Sequence, residues 1–228
     1  MSLLGKAVVA IWNDILPEGR DNFIEWHNRE HIPERVSIPG FLRGRRYIAE
    51  RGAPEYFTLY EAADAQVLVD QPYLDRLNNP TPWTKRSTAD FRNTTRGVCN
   101  IDYSHGCGDG GFIATFRFDV ADNDRAAIRS MLTDALCETG KLNGISGAHL
   151  CIADSGASSL ETAERKGRQV GVPNWIIMIE GGSASSVSDA AEDLAGKLSE
   201  NDLVGPVEVG LHRLEFALGE NALQQSAA

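Results

Sequence analysis

One short segment of the chain, Trp26 to Arg35, combines residue types and spacing that could do chemistry. His27 and His31 stand four residues apart, so on a helix both imidazoles project from one face, about one turn apart. Such a pair can transfer protons, coordinate a metal ion or share a hydrogen-bond network. Because it falls in the last helical turn beside a loop, His31 is the first candidate for a general acid/base, with His27 second. A structural role, in which the pair pins the end of the helix, is the competing hypothesis.

The same segment also matches a zinc-binding pattern. His27-x-x-Glu30-His31 reads as H-x-x-E-H, in which two imidazoles bind zinc and the glutamate acts as base. That chemistry needs a further protein ligand. The segment ends at Pro33, and no later helix offers an obvious carboxylate ligand, so the sequence predicts no metal site and no cofactor. Ligation of a metal or haem by His27 or His31 stays an alternative.

The elements that must position these residues follow a repeated order. The first half predicts strand, helix, strand, strand, helix, strand, with the histidine helix over Asn22–Ile32 and Pro33 as its stop. A glycine-rich segment, His105–Gly111, comes next, and the same order then repeats. The predicted division is a first repeat over 1–104, a joint over 105–111 and a diverged second repeat over 112–228.

This order predicts an α+β fold with a pocket. Each βαββαβ unit places its helices on one face of an antiparallel sheet, and the other face must then be covered by a second unit. Two units on one chain can pack sheet to sheet as an intrachain α+β barrel, and the space between them is expected to hold a ligand. Strand alternation selects the polar side chains that face this space. They are Arg43, Arg45, Tyr47, Tyr56 and Tyr60, unless these residues form a rim instead.

The predicted lining suits an oxygenated or aromatic small molecule. Arg43 or Arg45 could bind a carboxylate or stabilise a developing oxyanion. Tyr47 and Tyr60 could donate hydrogen bonds to the same ligand. Arg45 and the two tyrosines therefore join the histidines as candidate catalytic residues.

Two tryptophans and one polar segment are expected near the pocket. Trp26 and Trp83 are candidates for binding the substrate, together with Arg43 and Tyr56, although large aromatic side chains more often fill a core. The segment Ser155–Val172 either covers the pocket or forms an exposed insertion. Its length and polarity favour the insertion.

Composition narrows the classes of partner. The 228-residue chain has a formal net charge of −10 and 42% hydrophobic residues, which is typical of a globular protein. It lacks the basic surface of a nucleic-acid binder, the long apolar run of a membrane span and the glycine-rich loops of nucleotide-binding proteins. Its four cysteines lie far apart, as expected for reduced thiols. We therefore expect a cytoplasmic protein whose partner is a small organic molecule, with no nucleic acid, no membrane, and homodimer formation left open.

A resemblance to a known family covers residues 26–47, which read W-H-N-R-E-H-I-P-E-R-V-S-I-P-G-F-L-R-G-R-R-Y. The segment resembles the EthD-type members of the dimeric α+β barrel superfamily. Those proteins carry a Trp and a His on the first helix, a Pro just after it, and a Leu/Ile-Pro-Gly turn into the second strand. Trp26, His31, Pro33 and Ile38-Pro39-Gly40 occupy the corresponding places.

The resemblance implies two fused ferredoxin-like repeats and a barrel lumen that binds small organic molecules. Relatives by fold include cofactor-free monooxygenases, polyketide cyclases, lactone isomerases and haem-binding enzymes, so the fold does not fix the function. The leading hypothesis is a cofactor-independent enzyme that acts on an oxygenated or aromatic metabolite by proton transfer, cyclisation, isomerisation or oxygenation. The alternatives are a haem- or metal-binding enzyme that uses His27 or His31, and a non-catalytic ligand-binding or structural protein.

Overall fold

A closed barrel of eight antiparallel strands forms the centre of the protein, in a computed structural model that describes residues 2–159, 162–167, 170–201 and 204–226. Around the barrel the strands follow the order β1-β3-β2-β8-β5-β7-β6-β4. The strands are β1 Ala7–Ile15, β2 Phe41–Arg51, β3 Tyr56–Ala62, β4 Phe91–Gly106, β5 Phe112–Phe118, β6 Ile145–Ala153, β7 Trp175–Gly181 and β8 Glu208–Gly219.

Each half of the barrel is one ferredoxin-like sheet. In both halves the first strand lies between the fourth and the third, and the second strand lies at the edge. The edges of the two sheets are hydrogen-bonded to each other, because β2 pairs with β8 and β4 pairs with β6. Closure of this kind leaves no unpaired strand edge. The predicted α+β fold, two βαββαβ units that form a barrel within one chain, is confirmed.

The helices pack on the outside of the barrel. In the second half, α5 and α7 bury Leu132, Leu136 and Leu194 against the outer face of the sheet. Among the described residues, no helix is both long enough and apolar enough to cross a membrane. The helices are α1 Arg20–Trp26, α2 Ile32–Val36, α3 Gln71–Asn78, α4 Pro82–Thr88, α5 Arg125–Thr139, α6 Ser155–Ser159, α7 Ala184–Ser199 and α8 Glu220–Ser226.

The interior of the barrel is a packed core. Side chains from both halves meet there, among them Trp12, Phe57, Ile176 and Met178, and all four are fully buried. Trp12 stacks on Phe57 with ring centroids 4.8 Å apart. Side chains therefore fill the space between the two sheets, where a ligand was expected from the sequence.

One end of this interior holds a cluster of buried charges. The Arg43 guanidinium contacts the Glu61 carboxylate at 2.9 Å, and Arg45 contacts Glu61 at 3.0 Å and Glu180 at 2.8 Å. His149 Nε2 lies 3.6 Å from Glu180. We call these five residues the interior ion cluster. Its two arginines and two glutamates balance in charge, as buried ionic groups must.

The interior ion cluster contains residues at equivalent positions of the two halves. Arg43 lies opposite Glu61 in the β2–β3 ladder, and Gly147 lies opposite Glu180 in the matching β6–β7 ladder. Glu61 and Glu180 are thus equivalent positions, whereas an arginine in one half corresponds to a glycine in the other. A Cβ atom at Gly147 would lie 2.2 Å from the Ser2 hydroxyl oxygen, so that position is filled from the N-terminus.

The predicted facing of two tyrosines is wrong. Tyr56 pairs with Ile48, and Tyr60 pairs with Gly44, in a register that places both tyrosines on the helix-covered outer face. Tyr47 lies on the opposite, interior face. In a barrel with helices outside, both faces of each sheet are buried, so a contrast between polar and apolar residues does not reveal which face is inside.

Candidate functional site

The histidine pair lies in a helix that does not end where predicted. α1 continues through a π-helical turn, His27–His31, directly into α2, and Pro33 lies in the first turn of α2. Proline lacks the N–H that would bond to the preceding turn, and a widened turn before it lets the helix continue. The expected stop at Pro33 is therefore wrong.

The π turn brings three aromatic rings together. The His27 and His31 rings have centroids 5.5 Å apart and planes within 12° of parallel. The Trp26 indole stacks on His31 at 4.2 Å, and its Nε1 donates a hydrogen bond to Thr84 Oγ1 at 3.2 Å. The imidazoles are consequently held in one orientation by stacking, as a positioned catalytic group requires.

A small cavity lies beside these rings, between the helix and the outer face of the first-half sheet. We call it the histidine cavity. Its volume of about 40 Å³ is enough for a few water molecules. The polar and charged side chains that line it include His27, His31, Arg35, Thr58, Tyr60 and Arg96.

The chemistry of this lining is set by burial. Burial, together with the nearby charges of Arg46 and Arg35, holds the pKa of His27 well below its usual value, so the imidazole is neutral at pH 7. Burial raises the pKa of Tyr60, which keeps its hydroxyl protonated. Within the described part of the chain, His27 Nδ1 and the Tyr60 and Thr58 hydroxyls are buried without a hydrogen-bond partner. Buried polar atoms in this state are suited to meeting a ligand or ordered water.

The polar segment after β6 covers the cavity. Ser158 is fully buried and its Oγ accepts a hydrogen bond from the Val98 amide. Glu164 forms an ion pair with Arg35 at 2.5 Å, and its backbone N–H donates to Leu77. Residues 160, 161, 168 and 169 of this segment lie outside the described residues. For the rest, the expectation of an exposed insertion over Ser155–Val172 is wrong, because the segment packs on the cavity.

The structure separates the predicted catalytic residues into two groups. His27, His31 and Tyr60 line the histidine cavity. Arg45 and Tyr47 lie across the sheet, inside the barrel, where Arg45 is held by carboxylates. Burial raises the pKa of the Tyr47 hydroxyl, so it stays protonated there. These two residues and the histidine cavity are separated by the thickness of the sheet.

The predicted substrate-binding residues are also divided. Trp26 lines the cavity. Arg43 belongs to the interior ion cluster, on the other face of the sheet. Tyr56 packs against Phe23 with ring centroids 4.8 Å apart. Trp83 packs in the same layer and donates a hydrogen bond from Nε1 to Asn22 at 2.9 Å, away from the cavity lining.

Several polar lining residues were not predicted from the sequence, among them Arg35, Thr58 and Arg96. Arg35 follows His31 by four residues, which places both on one face of a continuous helix, but the expected stop at Pro33 hid this relation. Thr58 and Arg96 face the helices from β3 and β4. Alternation with Val98 would have placed Arg96 on that face, had the buried face of β4 been known.

The zinc-type arrangement of the H-x-x-E-H pattern is not formed. The Glu30 carboxylate accepts a hydrogen bond from Thr81 Oγ1 at 2.6 Å, which engages it with the N-terminus of α4. Across the described ranges, no group of three His, Cys, Asp or Glu side chains converges in a way that could hold a metal ion. Glu30 therefore acts in helix packing in this structure.

Comparison with known proteins identifies the fold. No family model matches the sequence, and no curated protein matches it. An anthrone oxidase-like protein superposes with a TM-score of 0.67 at 9% identity, over 94% of this chain and 93% of that one. A candidate monooxygenase from Fusobacterium nucleatum gives 0.59 at 9% identity, over 95% and 96%. A haem-binding protein from Thermus thermophilus gives 0.50 at 13% identity, over 99% and 96%.

The shared property is the fold. At these identities the likeness extends to the ferredoxin-like α+β barrel and to nothing finer. The haem-binding relative nevertheless raises the question of whether this chain's residues fit a haem. A drug-sized ligand occupies a pocket of roughly 300–1,000 Å³, whereas the histidine cavity is about 40 Å³, and an indole ring covers one face of His31. The residues of the histidine cavity, as they are arranged, do not fit a haem.

Proposed function

We propose that this chain binds a small oxygenated organic molecule at the histidine cavity and catalyses proton transfer on it. The observation that carries the proposal is a buried, neutral imidazole, His27, beside hydroxyl groups that lack hydrogen-bond partners among the described residues. A neutral imidazole accepts a proton, and unpartnered donors stabilise the charge left on the substrate. No cofactor is needed for such a step.

The proposed step begins with a carbon acid next to a carbonyl group. His27, supported by its stacking partner His31, takes the proton at an imidazole nitrogen. The electron pair of the C–H bond forms the C=C bond of an enolate, and the π pair of the carbonyl group moves to its oxygen. The Tyr60 hydroxyl donates a hydrogen bond to the resulting enolate oxygen, since burial keeps that hydroxyl protonated. Return of the proton from His27 to a different atom of the enolate system gives isomerisation. Attack of the enolate carbon on a second carbonyl group of the same molecule gives cyclisation, and the proton on His27 then passes to the resulting alkoxide oxygen.

The size of the cavity restricts how the substrate is held. A volume of about 40 Å³ admits a few non-hydrogen atoms of a substrate and excludes a whole aromatic ring. Thr94 and Val170 line both this cavity and a larger surface groove of about 1000 Å³. In the proposed complex the reacting group enters the cavity past these two residues, and the rest of the molecule lies in the groove.

We further propose a family, a boundary between the repeats and a cellular compartment for this chain. We place the chain among the EthD-type barrels because Trp26 and His31 of the resembling segment are in contact and Pro33 follows the π turn. The end of β4 at Gly106 and the start of β5 at Phe112 support the proposed joint between the two repeats over 105–111. The cysteines are free, which fits a reducing compartment such as the cytoplasm.

Exchange of an enolisable proton tests the proposed chemistry. Phenylacetone and phenylpyruvate are incubated in D₂O with the protein, and deuterium incorporation at the methylene group is followed by ¹H NMR. We expect exchange above the buffer rate with at least one probe. Replacing His27 or His31 by glutamine should lower that rate by about 10²-fold or more, because a positioned acid/base group contributes on this scale.

The control is His105→Gln, since His105 is an exposed histidine on β4 outside the cavity. That variant should exchange at the wild-type rate, and all variants should keep the wild-type circular dichroism spectrum. Equal rates in wild type, His27→Gln and His31→Gln would contradict the catalytic proposal. Binding of a probe without exchange would assign the chain to non-catalytic ligand binding.

A further inference from the structure

The charges around the histidine cavity are unlike those of the whole chain. The protein carries a formal net charge of −10. The ionised side chains that line the cavity are Arg35, Arg96 and Arg165 against Glu164, so the described lining has an excess of positive charge. A histidine cavity with excess positive charge, in an otherwise acidic protein, attracts anions selectively.

Among the described residues, Arg96 is a lining arginine that has no carboxylate partner. Arg96 is 7% exposed, and its Nη2 donates a hydrogen bond to the Tyr73 hydroxyl at 3.1 Å. Within the described ranges, no carboxylate lies within ion-pair distance of Arg96. Arg35, by contrast, contacts both Glu34 and Glu164. Removing a guanidinium from water without a counterion is costly, so Arg96 is suited to receiving an anion from a ligand.

We propose that the substrate of this site is a small organic acid, and that Arg96 selects it by binding its carboxylate. This inference rests on the proposed function, because it names the class of molecule that the histidine cavity accepts. The planar guanidinium matches a carboxylate with two parallel hydrogen bonds. The Thr58 and Tyr60 hydroxyls, which lack partners among the described residues, line the same chamber and can donate to a ligand oxygen.

The proposed binding mode fits the dimensions of the site. A carboxylate joined directly to the reacting carbonyl, as in a 2-oxo acid, is compact enough to enter a cavity of about 40 Å³ together with that carbonyl. The body of the acid then extends past Thr94 and Val170 into the adjoining groove. A bound anion would also lie near His27, whose imidazolium is disfavoured by burial and by the charges of Arg46 and Arg35. The ligand's negative charge therefore raises the basicity of His27 when substrate is present.

Calorimetric titration with matched probes tests the inference. Benzoate, benzyl alcohol and inorganic phosphate are titrated into wild type, Arg96→Gln, Arg96→Lys and Arg92→Gln. We expect wild type to bind benzoate more tightly than benzyl alcohol, and Arg96→Gln to lose roughly 10- to 100-fold in benzoate affinity, the range for a charge-assisted hydrogen bond. The benzoate affinity of Arg96→Lys should lie between that of wild type and that of Arg96→Gln. Arg92, exposed on the same strand, is the matched control and should change benzoate affinity less than 2-fold.

The outcomes separate the inference from the function on which it rests. Benzoate affinity unchanged in both folded Arg96 variants overturns the inference. Tight benzyl alcohol binding with no preference for benzoate overturns the inference and leaves the proposed binding site standing. Phosphate binding more tightly than benzoate also overturns it, in favour of a phosphate ester. If none of the organic probes binds to wild type, the proposed function fails as well.

Discussion

Replacing Arg45 by methionine is expected to destabilise the folded state by about 3–5 kcal/mol, the usual cost of removing one partner from a buried ion pair. Arg45 is 1% exposed and contacts Glu61 and Glu180, both of which are fully buried. Glu61 would keep Arg43, but Glu180 would be left with His149 alone. The free energy of unfolding is measured from urea denaturation at pH 7, followed by circular dichroism.

A surface pair supplies the matched control. Arg213 lies on β8, next to the strand that carries Arg45, and contacts Glu50 at 2.8 Å with both side chains more than 40% exposed. Arg213→Met should cost less than about 1 kcal/mol, because solvent screens exposed pairs. Equal losses in the two variants would show that the interior ion cluster has no special weight in stability.

Acid is expected to remove about 3 kcal/mol of stability through Glu180. Burial alone would raise the pKa of this carboxyl, but the charge of Arg45 and the neighbouring His149 outweigh burial and lower it to about 2. An unfolded glutamate titrates near 4.3, so the unfolded chain takes up the proton first as the pH falls. The contribution is complete above about pH 5 and declines towards pH 2.

Urea denaturation between pH 7 and pH 3 measures this dependence. The free energy of unfolding of wild type should fall steadily below pH 5. That of Glu180→Gln should be lower at pH 7 and should change less between pH 7 and pH 3. Glu50→Gln, at the exposed pair, should keep the wild-type slope. The assignment to Glu180 would be wrong if the Glu180→Gln profile ran parallel to wild type.

The fold was predictable from the sequence because both halves show the same alternation of β-rich runs and helical segments. EYFTLYE, which contains Glu61, and NWIIMIE, which contains Glu180, are equivalent strands in the two sheets. Turn signals and the glycine-rich joint placed most elements near their observed positions. The order of elements then restricted the topology to a sheet covered by helices.

The position of the site was harder to predict because it depends on tertiary packing. Trp26, His27 and His31 were found from residue type and spacing, which a helix preserves. Tyr60 was selected for the wrong face, because both faces of the barrel sheet are buried. The sequence also contains no local signal that Glu164 returns to Arg35, a contact between segments separated by 129 residues.

The two halves differ in the layer between the helices and the sheet. In the first half the π turn, Arg35 and Arg96 leave a polar cavity between helix and sheet. In the second half α5 fills the corresponding layer with Ile128, Leu132 and Leu136, all essentially buried. Among the described residues, the second unit thus supplies a packed apolar layer and a barrel wall. This asymmetry agrees with the absence of a Trp-His element from its sequence.

In the proposed complex, the location of the ligand is the helix-covered cavity and not the inside of the barrel. The five histidines report on it, because His27 and His31 line the cavity, His149 and His212 are buried inside the barrel, and His105 is exposed. The measurement is a ¹H–¹⁵N spectrum of the imidazoles during titration with benzoate. We expect the His27 and His31 signals to shift, and the His149 and His212 signals to stay unchanged. Shifts confined to His149 or His212 would place the ligand inside the barrel and contradict the proposal.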